Sequence, residues 1–308
     1  MELLVAPEIP ASPARTRPPE RRPLRVGAVQ LAWDPDPAAH RAALERGIRT
    51  AAEAGAEVVF LQELTLSPYF AVTRDPQPQR AEPLPGGPTS EFATRVAAEV
   101  GIHVHASLYE RAEDGGLGFN TAILAAPSGE LVGRTRKLHI PVTAGYYEDH
   151  HFRPGPAGED ALPVYGVGEA RVGLPTCWDQ WFPELARGYA LAGADLVAYP
   201  TAIGSEPDHP EFDTEPLWRQ SMIGHAIANG LFVVAVNRTG AEGELTFYGS
   251  SFIADPYGRV LVRAPRDRPA VLVADLDLDQ RRDWQELFPF LGTRRPDAYG
   301  SLVAPVAG

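Results

Sequence analysis

The chain has 308 residues, 44% hydrophobic and 22% charged, the composition of a globular protein long enough to bury a large core. Its 28 basic and 40 acidic residues leave a net charge of -12, which repels nucleic-acid phosphates and anionic membranes and sets both aside as partners. A single cysteine excludes an internal disulfide and any paired-cysteine metal or redox motif, so a reducing, cytoplasmic location is expected.

Residues 1–23 are punctuated by Pro7, Pro10, Pro13, Pro18, Pro19 and Pro23, with Arg15, Arg17, Arg21 and Arg22 between them. Their apolar residues stop at Pro7, which does not suit a signal peptide, and the composition predicts a disordered tail. From Leu24 the pattern changes. Leu24–Leu31 reads as a buried strand, Ala38–Ala54 as a helix stopped by Gly55, and Ala56–Leu64 as a second buried strand. This strand–helix–strand unit marks a layered α/β fold.

The alternation continues along the chain. Helices are predicted over Thr89–Val100, Phe182–Ala192, Glu215–Asn229 and Asp279–Leu287. Strands are predicted over His103–Tyr109, Thr121–Ala126, Glu130–Arg136, Ala194–Tyr199, Leu231–Asn237, Ser250–Ala254 and Val271–Asp277, while Val164–Tyr165 and Arg171–Pro175 flank the approach to Cys177. No linker interrupts residues 24–288, which read as one domain. Residues 289–308 lack periodicity and read as an extended tail.

Four positions could carry chemistry. Cys177 sits between the run Val172–Pro175 and a helix opening at Pro183-Glu184, where main-chain N–H groups favour a thiolate or bind an oxyanion. Glu63 ends the apolar strand VVFLQEL, where a carboxylate is costly unless paired or functional. Lys137 follows Arg134 and Arg136. Glu148 lies in GYYEDHHF, beside His150 and His151. Each alone has a bland reading: a buried structural cysteine, a glutamate reaching solvent, a surface lysine. The spacing of His139, His150 and His151 matches no familiar metal-ligand pattern, so no metal is expected.

Taken together, the segments FLQELTLSPYF, GRTRKLHIP, GYYE and CWDQWFPE resemble the motifs of the nitrilase superfamily of carbon–nitrogen hydrolases, in order and spacing. The resemblance spans about Leu24 to Tyr299. It implies an α/β four-layer α-β-β-α sandwich of nitrilase type. It also implies Glu63 as base, Lys137 as oxyanion donor, Cys177 as nucleophile and Glu148 as support. It implies no cofactor, a small-molecule substrate, and a homo-oligomer in which the tail at 289–308 extends onto a neighbouring subunit. Residues expected to contact substrate are Tyr69, Tyr147, Trp178, Gln180, Trp181, Thr201, Ala202 and Glu206.

Within the superfamily, CWDQWFPE and YPTAIGSEP are most similar to the N-carbamoylputrescine amidohydrolase branch. A relative cleaving N-carbamoyl-D-amino acids carries two arginines after its cysteine motif as a carboxylate clamp. Gln180 and Trp181 stand there in this chain. Glu206, Asp208, Glu211, Asp213 and Glu215 would instead suit a cationic tail, although such a run is commonly a solvated loop. N-carbamoyl-β-alanine, another ω-amide or a nitrile are the alternatives. Because Cys177 is the only thiol, one equivalent of an alkylating reagent is expected to abolish hydrolysis, as followed by intact mass and ammonia release.

Overall fold

The computed structural model describes residues 1–304. In chain order the elements are β1 (Glu2–Val5), β2 (Leu24–Gln30), α1 (Pro37–Glu53), β3 (Val58–Leu61), α2 (Pro88–Val100), β4 (His103–Glu110), β5 (Phe119–Ala125) and β6 (Leu131–Arg136). There follow β7 (Val164–Val167), β8 (Ala170–Gly173), α3 (Pro183–Leu191), β9 (Leu196–Pro200), α4 (Glu215–Asn229) and β10 (Phe232–Val236). The last are β11 (Thr239–Glu242), β12 (Leu245–Tyr248), β13 (Phe252–Ala254), β14 (Val260–Arg263), β15 (Ala270–Leu276) and α5 (Asp279–Leu287).

Local chemistry explains the boundaries. Asp36 caps α1 by accepting the Ala38 N–H, and Pro37, which has no N–H to satisfy, opens the first turn. At the other end of α4, Gly230 adopts φ +61°, a left-handed turn that stops the helix at little cost. The strands are runs of Val, Ile, Leu and Ala buried on both faces, as strands covered from two sides require.

Two sheets face each other. One runs β1-β15-β2-β3-β4-β5-β6 and the other β14-β13-β10-β9-β8-β7, with β11 and β12 as a separate hairpin. Val26, Val58, Phe60 and Leu272 of the first sheet meet Val172, Leu196, Val234 and Ile253 of the second in a central apolar layer. A second layer seats α1 and α2 on the first sheet through Leu44, Ile48, Phe92 and Val96. A third seats α3 and α4 on the other through Leu185, Tyr189, Trp218 and Met222. The result is the expected four-layer α-β-β-α sandwich. Each buried aliphatic or aromatic side chain contributes roughly 1.5–3 kcal/mol, so the central layer holds the sheets firmly in register.

The register also places the site. The parallel pairs β2–β3, β8–β9 and β9–β10, with the antiparallel run β4–β5–β6, end β3, β6, β8, β9 and β10 on one side of the sandwich. Glu63, Lys137, Cys177, Ala202 and Arg238 lie just beyond those carboxyl ends. The strand predicted over Ala56–Leu64 stops at Leu61, because Leu64 turns into the left-handed region at φ +49°. The hairpin β11–β12, β1 and β14 are not anticipated from the periodicity.

The first 23 residues are not the disordered tail their composition predicts. β1 pairs in parallel with β15 along the edge of the first sheet. Arg15 reaches Asp277 at 2.7 Å and Asp283 at 2.8 Å, and Arg21 reaches Asp195 and Asp279, each at 3.0 Å. Arginines that look like disorder in sequence are counter-charges for carboxylates buried beneath them. The C-terminal segment also departs from an extended tail. It folds into short 3-10 turns at Pro296–Ala298 and Gly300–Val303, and Leu291 packs onto the α3–α4 layer; residues 305–308 lie outside the described residues.

Although burial alone would raise it, Asp279 is held down to about 2 by the main-chain N–H groups of Glu20 and Arg21 and by the Arg21 guanidinium. Deleting residues 1–22 removes these partners and the β1 edge, and is expected to lower Tm by more than about 5 °C. Because Asp279 is depressed, its share of that loss is complete above its ordinary value of 3.8 and vanishes as pH falls towards about 2. Thermal melts of full-length and truncated protein across pH test this.

Candidate active site

At the floor of the site, Lys137 is held between two carboxylates. Its Nζ donates to Glu63 Oε1 at 2.9 Å, and to Glu148 Oε1 and Oε2 at 2.9 and 2.7 Å. All three side chains are fully buried. Three acceptors surround an ammonium with three N–H donors, so no donor is wasted. Burial alone would lower the Lys137 pKa, but the neighbouring Glu148 and Glu63 carboxylates raise it, and the residue is a permanent cation.

Glu63 is reached differently. Asn120, a polar residue inside the apolar strand β5, donates Nδ2 to Glu63 Oε1 at 2.7 Å. Among the described residues, Glu63 Oε2 has no hydrogen-bond partner. Burial pushes the Glu63 pKa up to about 7; Lys137 opposes that rise and Glu148 reinforces it. A carboxylate with one oxygen anchored, the other open, and a pKa near neutrality is built to exchange a proton.

Cys177 starts a 3-10 turn, Cys177–Trp181, that leads from β8 into α3. It adopts φ +43°, an uncommon conformation for a residue with a Cβ. Asp179 fixes the turn. One of its oxygens accepts the Thr176 N–H at 3.0 Å, and the other takes the His139 N–H at 3.0 Å and contacts His139 Nδ1 at 2.7 Å. His139 lies two residues after Lys137, so this carboxylate ties the cysteine turn to the lysine segment. As the second residue of the turn, Trp178 presents a main-chain N–H that the turn itself cannot pair. The Cys177 thiol points towards the Ala202 carbonyl at 3.9 Å. Burial, and then the Glu63 charge, push its pKa well above that of a free thiol, so it rests protonated.

A cavity of about 150 Å³ opens over the cysteine. Glu148, Cys177 and Ala202 form its buried floor, and Trp178, Trp181, Pro141, Tyr146 and Ile203 its largely apolar walls. Glu206 and Thr214 add polar atoms, while Thr143 and Leu217 stand at the exposed rim. Glu206 is half-buried, its pKa raised by burial against the opposing Thr214 hydrogen bond.

Four of the expected contact residues, Trp178, Trp181, Ala202 and Glu206, thus line the cavity. The other four do not. Tyr69 lies behind Glu148, donating its hydroxyl to Oε1 at 2.9 Å. Tyr147 faces outward under the Arg74 guanidinium, and Tyr146 occupies the wall instead. The Thr143–Tyr146 turn, with Gly145 at φ +78°, sets which of the two adjacent tyrosines points inward. Gln180 and Thr201 are buried behind the wall, where Gln180 Oε1 accepts from Trp218 Nε1 at 2.8 Å and from Thr201 at 3.3 Å. Of the histidines, His139 binds Asp179, His151 binds the Thr73 carbonyl, and His150 is exposed. Gly204 brings the hairpin close: a Cβ there would lie 2.2 Å from the Thr246 carbonyl oxygen.

Arg238 and Asn120 escape the sequence reading. Arg238 is fully buried at the end of the apolar run FVVAVN, and Asn120 interrupts another apolar strand. A polar residue ending or breaking such a run is the signal that would have found both.

The carbon-nitrogen hydrolase family profile matches residues 25–286. The chain belongs to the carbon–nitrogen hydrolase family. It is a cysteine-dependent hydrolase, and Cys177 is its one cysteine. The hydrolase is 39% identical to an N-carbamoylputrescine amidase of Solanum lycopersicum over 92% of this chain and 96% of that one. It is 36% identical to a citrullinase of Francisella tularensis over 91% and 98% of the two chains. The crystal structure of a carbon-nitrogen hydrolase from Helicobacter pylori superposes with a TM-score of 0.84 at 32% identity, covering 92% of this chain and 99% of that chain.

Because the folded Glu63 carboxyl has its pKa raised above its ordinary value of 4.5 to about 7, its ionisation opposes folding. That penalty is absent below 4.5, grows between 4.5 and 7, and is constant above. Glu63→Gln keeps the acceptor for Lys137 and Asn120 but cannot ionise. Its Tm relative to wild type is expected to rise as pH goes from 4.5 to 7, by thermal melting.

Proposed function

We propose that the hydrolase removes the carbamoyl group from a small cationic amine, N-carbamoylputrescine being the substrate that fits best, to give the amine, carbon dioxide and ammonia. The observation that carries this reading is the charge of the cavity. Its walls are apolar, its only charged lining groups among the described residues are Glu148 and Glu206, and no arginine or lysine faces it. Glu148 is committed to Lys137, which leaves Glu206 to meet a substrate cation. A cavity of about 150 Å³ suits a short linear molecule with a polar group at each end. The N-carbamoylputrescine amidase likeness agrees with it.

The chemistry follows from the groups present. Glu63 takes the Cys177 proton through its open Oε2 as the sulfur attacks the carbamoyl carbon. The oxyanion forms against the Trp178 N–H, and the Lys137 ammonium, behind the Glu148 floor, adds its charge. The intermediate collapses as Glu63 returns its proton to the leaving nitrogen, which departs and leaves the acyl group on sulfur. Glu63 then takes a proton from water as the water oxygen attacks that group. Collapse expels the thiolate, which is reprotonated from Glu63, and releases a carbamic acid whose remaining C–N bond breaks to give carbon dioxide and the second amine. Glu148 keeps Lys137 charged and directed at the oxyanion.

A second reading comes from the citrullinase likeness, which suggests an ω-ureido amino acid. Its ammonium could meet Glu206, but its carboxylate would find no cationic partner among the described lining residues. Ammonia release from N-carbamoylputrescine, citrulline, N-carbamoyl-β-alanine and simple ω-amides separates these readings. The carbamoyl amine is expected to have the highest kcat/KM. Glu206→Gln should raise KM for it by about tenfold and leave uncharged amides little changed, the cost of one lost charged contact. Preference for a carboxylated substrate would overturn the reading.

A further inference from the structure

Behind the proposed base, three main-chain carbonyls converge on one side chain. Arg238 Nη2 donates to the carbonyls of Glu63, Leu64 and Ser67 at 2.8, 2.9 and 2.6 Å, and Nε donates to Glu63 over a longer 3.3 Å. These carbonyls lie where the chain leaves β3 and Leu64 takes its left-handed turn, and of the three, that of Leu64 also accepts the Ser67 N–H. Arg238 Nη1 donates to Glu242 Oε1 at 2.7 Å. Glu242 Oε2 in turn accepts the Tyr69 N–H at 2.7 Å, and the Tyr69 hydroxyl donates to Glu148 Oε1. Glu148 holds Lys137, and Lys137 holds Glu63.

The contacts therefore close into a ring: Arg238, Glu242, Tyr69, Glu148, Lys137 and Glu63, returning to Arg238 through the Glu63 carbonyl. Every member is buried. The ring touches the cavity only at Glu148. Arg238 and Glu242 come from the end of β10 and from β11, so the hairpin is what closes it.

We infer that Tyr69 and Arg238 are positioning residues for the hydrolysis: through this ring they fix the Glu63 carboxylate and the Lys137 ammonium relative to each other. The inference rests on the assignment of Glu63 as base and Lys137 as oxyanion donor. Tyr69 sets the orientation of Glu148, the carboxylate that grips Lys137 with both oxygens. Arg238 sets the backbone that carries Glu63. Neither side chain meets the substrate, so both act on the chemical step and leave binding alone. Misplacement of a reacting group by about 1 Å costs on the order of 100-fold in rate.

Tyr69→Phe removes one oxygen atom and keeps the packing of the ring against Tyr146 and Phe247. It is expected to lower kcat by roughly 10- to 100-fold with KM changed less than about twofold. The rate at which iodoacetamide alkylates Cys177, which depends on proton transfer to Glu63, should fall in parallel. A residue that merely stabilises the fold would lower Tm and leave both rates of the folded protein unchanged. Arg238→Lys keeps the charge opposite Glu242 but cannot span the three carbonyls, so it should slow the same two rates. The double variant should be no slower than the slower single one, since both act through one ring. If Arg238→Lys does not fold, Tyr69→Phe decides alone. Wild-type rates in Tyr69→Phe beside an inactive Glu63→Gln would overturn the ring and leave the base assignment standing. Wild-type rates in both variants would overturn the base assignment itself.

Discussion

The structure is organised around one buried cation shared by two buried carboxylates. Taking such charges out of water costs several kcal/mol per ion, and the cost is offset only where the geometry is good and every donor is used. Lys137 meets that condition with three contacts between 2.7 and 2.9 Å. Because two carboxylates face one ammonium, the cluster carries an excess negative charge. Burial, reinforced by the carboxylate charge, holds the nearby Cys177 thiol in its protonated form, and burial lifts Glu63 towards neutrality against the opposing pull of Lys137. The arrangement that satisfies the lysine thus also leaves one Glu63 oxygen open close to an uncharged thiol. No single strand could supply it. Glu63 follows β3, Lys137 follows β6 and Cys177 follows β8, so both sheets must be assembled before the cluster exists.

Backbone strain sits at Cys177 and in the turn just after Glu63. Cys177 and Leu64, the residue after Glu63, have positive φ without being glycine. Such positions persist only when their surroundings over-determine them. Asp179 does this for the cysteine turn by accepting the Thr176 N–H, and Arg238 for the glutamate turn by donating to the Glu63 and Ser67 carbonyls. Held this way, Cys177 lines the cavity, and Glu63 Oε2 has no hydrogen-bond partner among the described residues.

Much of this was legible in the sequence because it rests on local pattern. The buried strands are unbroken apolar runs, and the first helix carries its stop at Gly55, which turns at φ +88°. Glu63, Lys137, Glu148 and Cys177 stand in recognisable segments. What escaped depends on distant partners. The N-terminal arginines look like disorder until Asp277, Asp279 and Asp283, more than 250 residues away, are placed beneath them. β11 and β12 carry too little apolar alternation to declare themselves, and their role lies in Arg238 and Glu242. Tyr69 and Tyr147 show the same limit. Their segments point to the site, but the direction of a loop side chain is set by tertiary contacts that spacing does not encode.

The edge pairing of β1 has a consequence for how the chain is made. Glu2 to Val5 pair with Ala270 to Val273, and β2 also waits for β15. Contacts so remote in sequence close slowly, since the intervening chain must be ordered first. A nascent chain leaving the ribosome therefore carries its first two strands unpaired on that side until nearly all of it has emerged. During that interval β2 is an exposed apolar edge, the kind of surface that recruits chaperones or other nascent chains. The Pro- and Arg-rich segment between β1 and β2 adds positive charge and proline next to it, features that discourage edge-to-edge association.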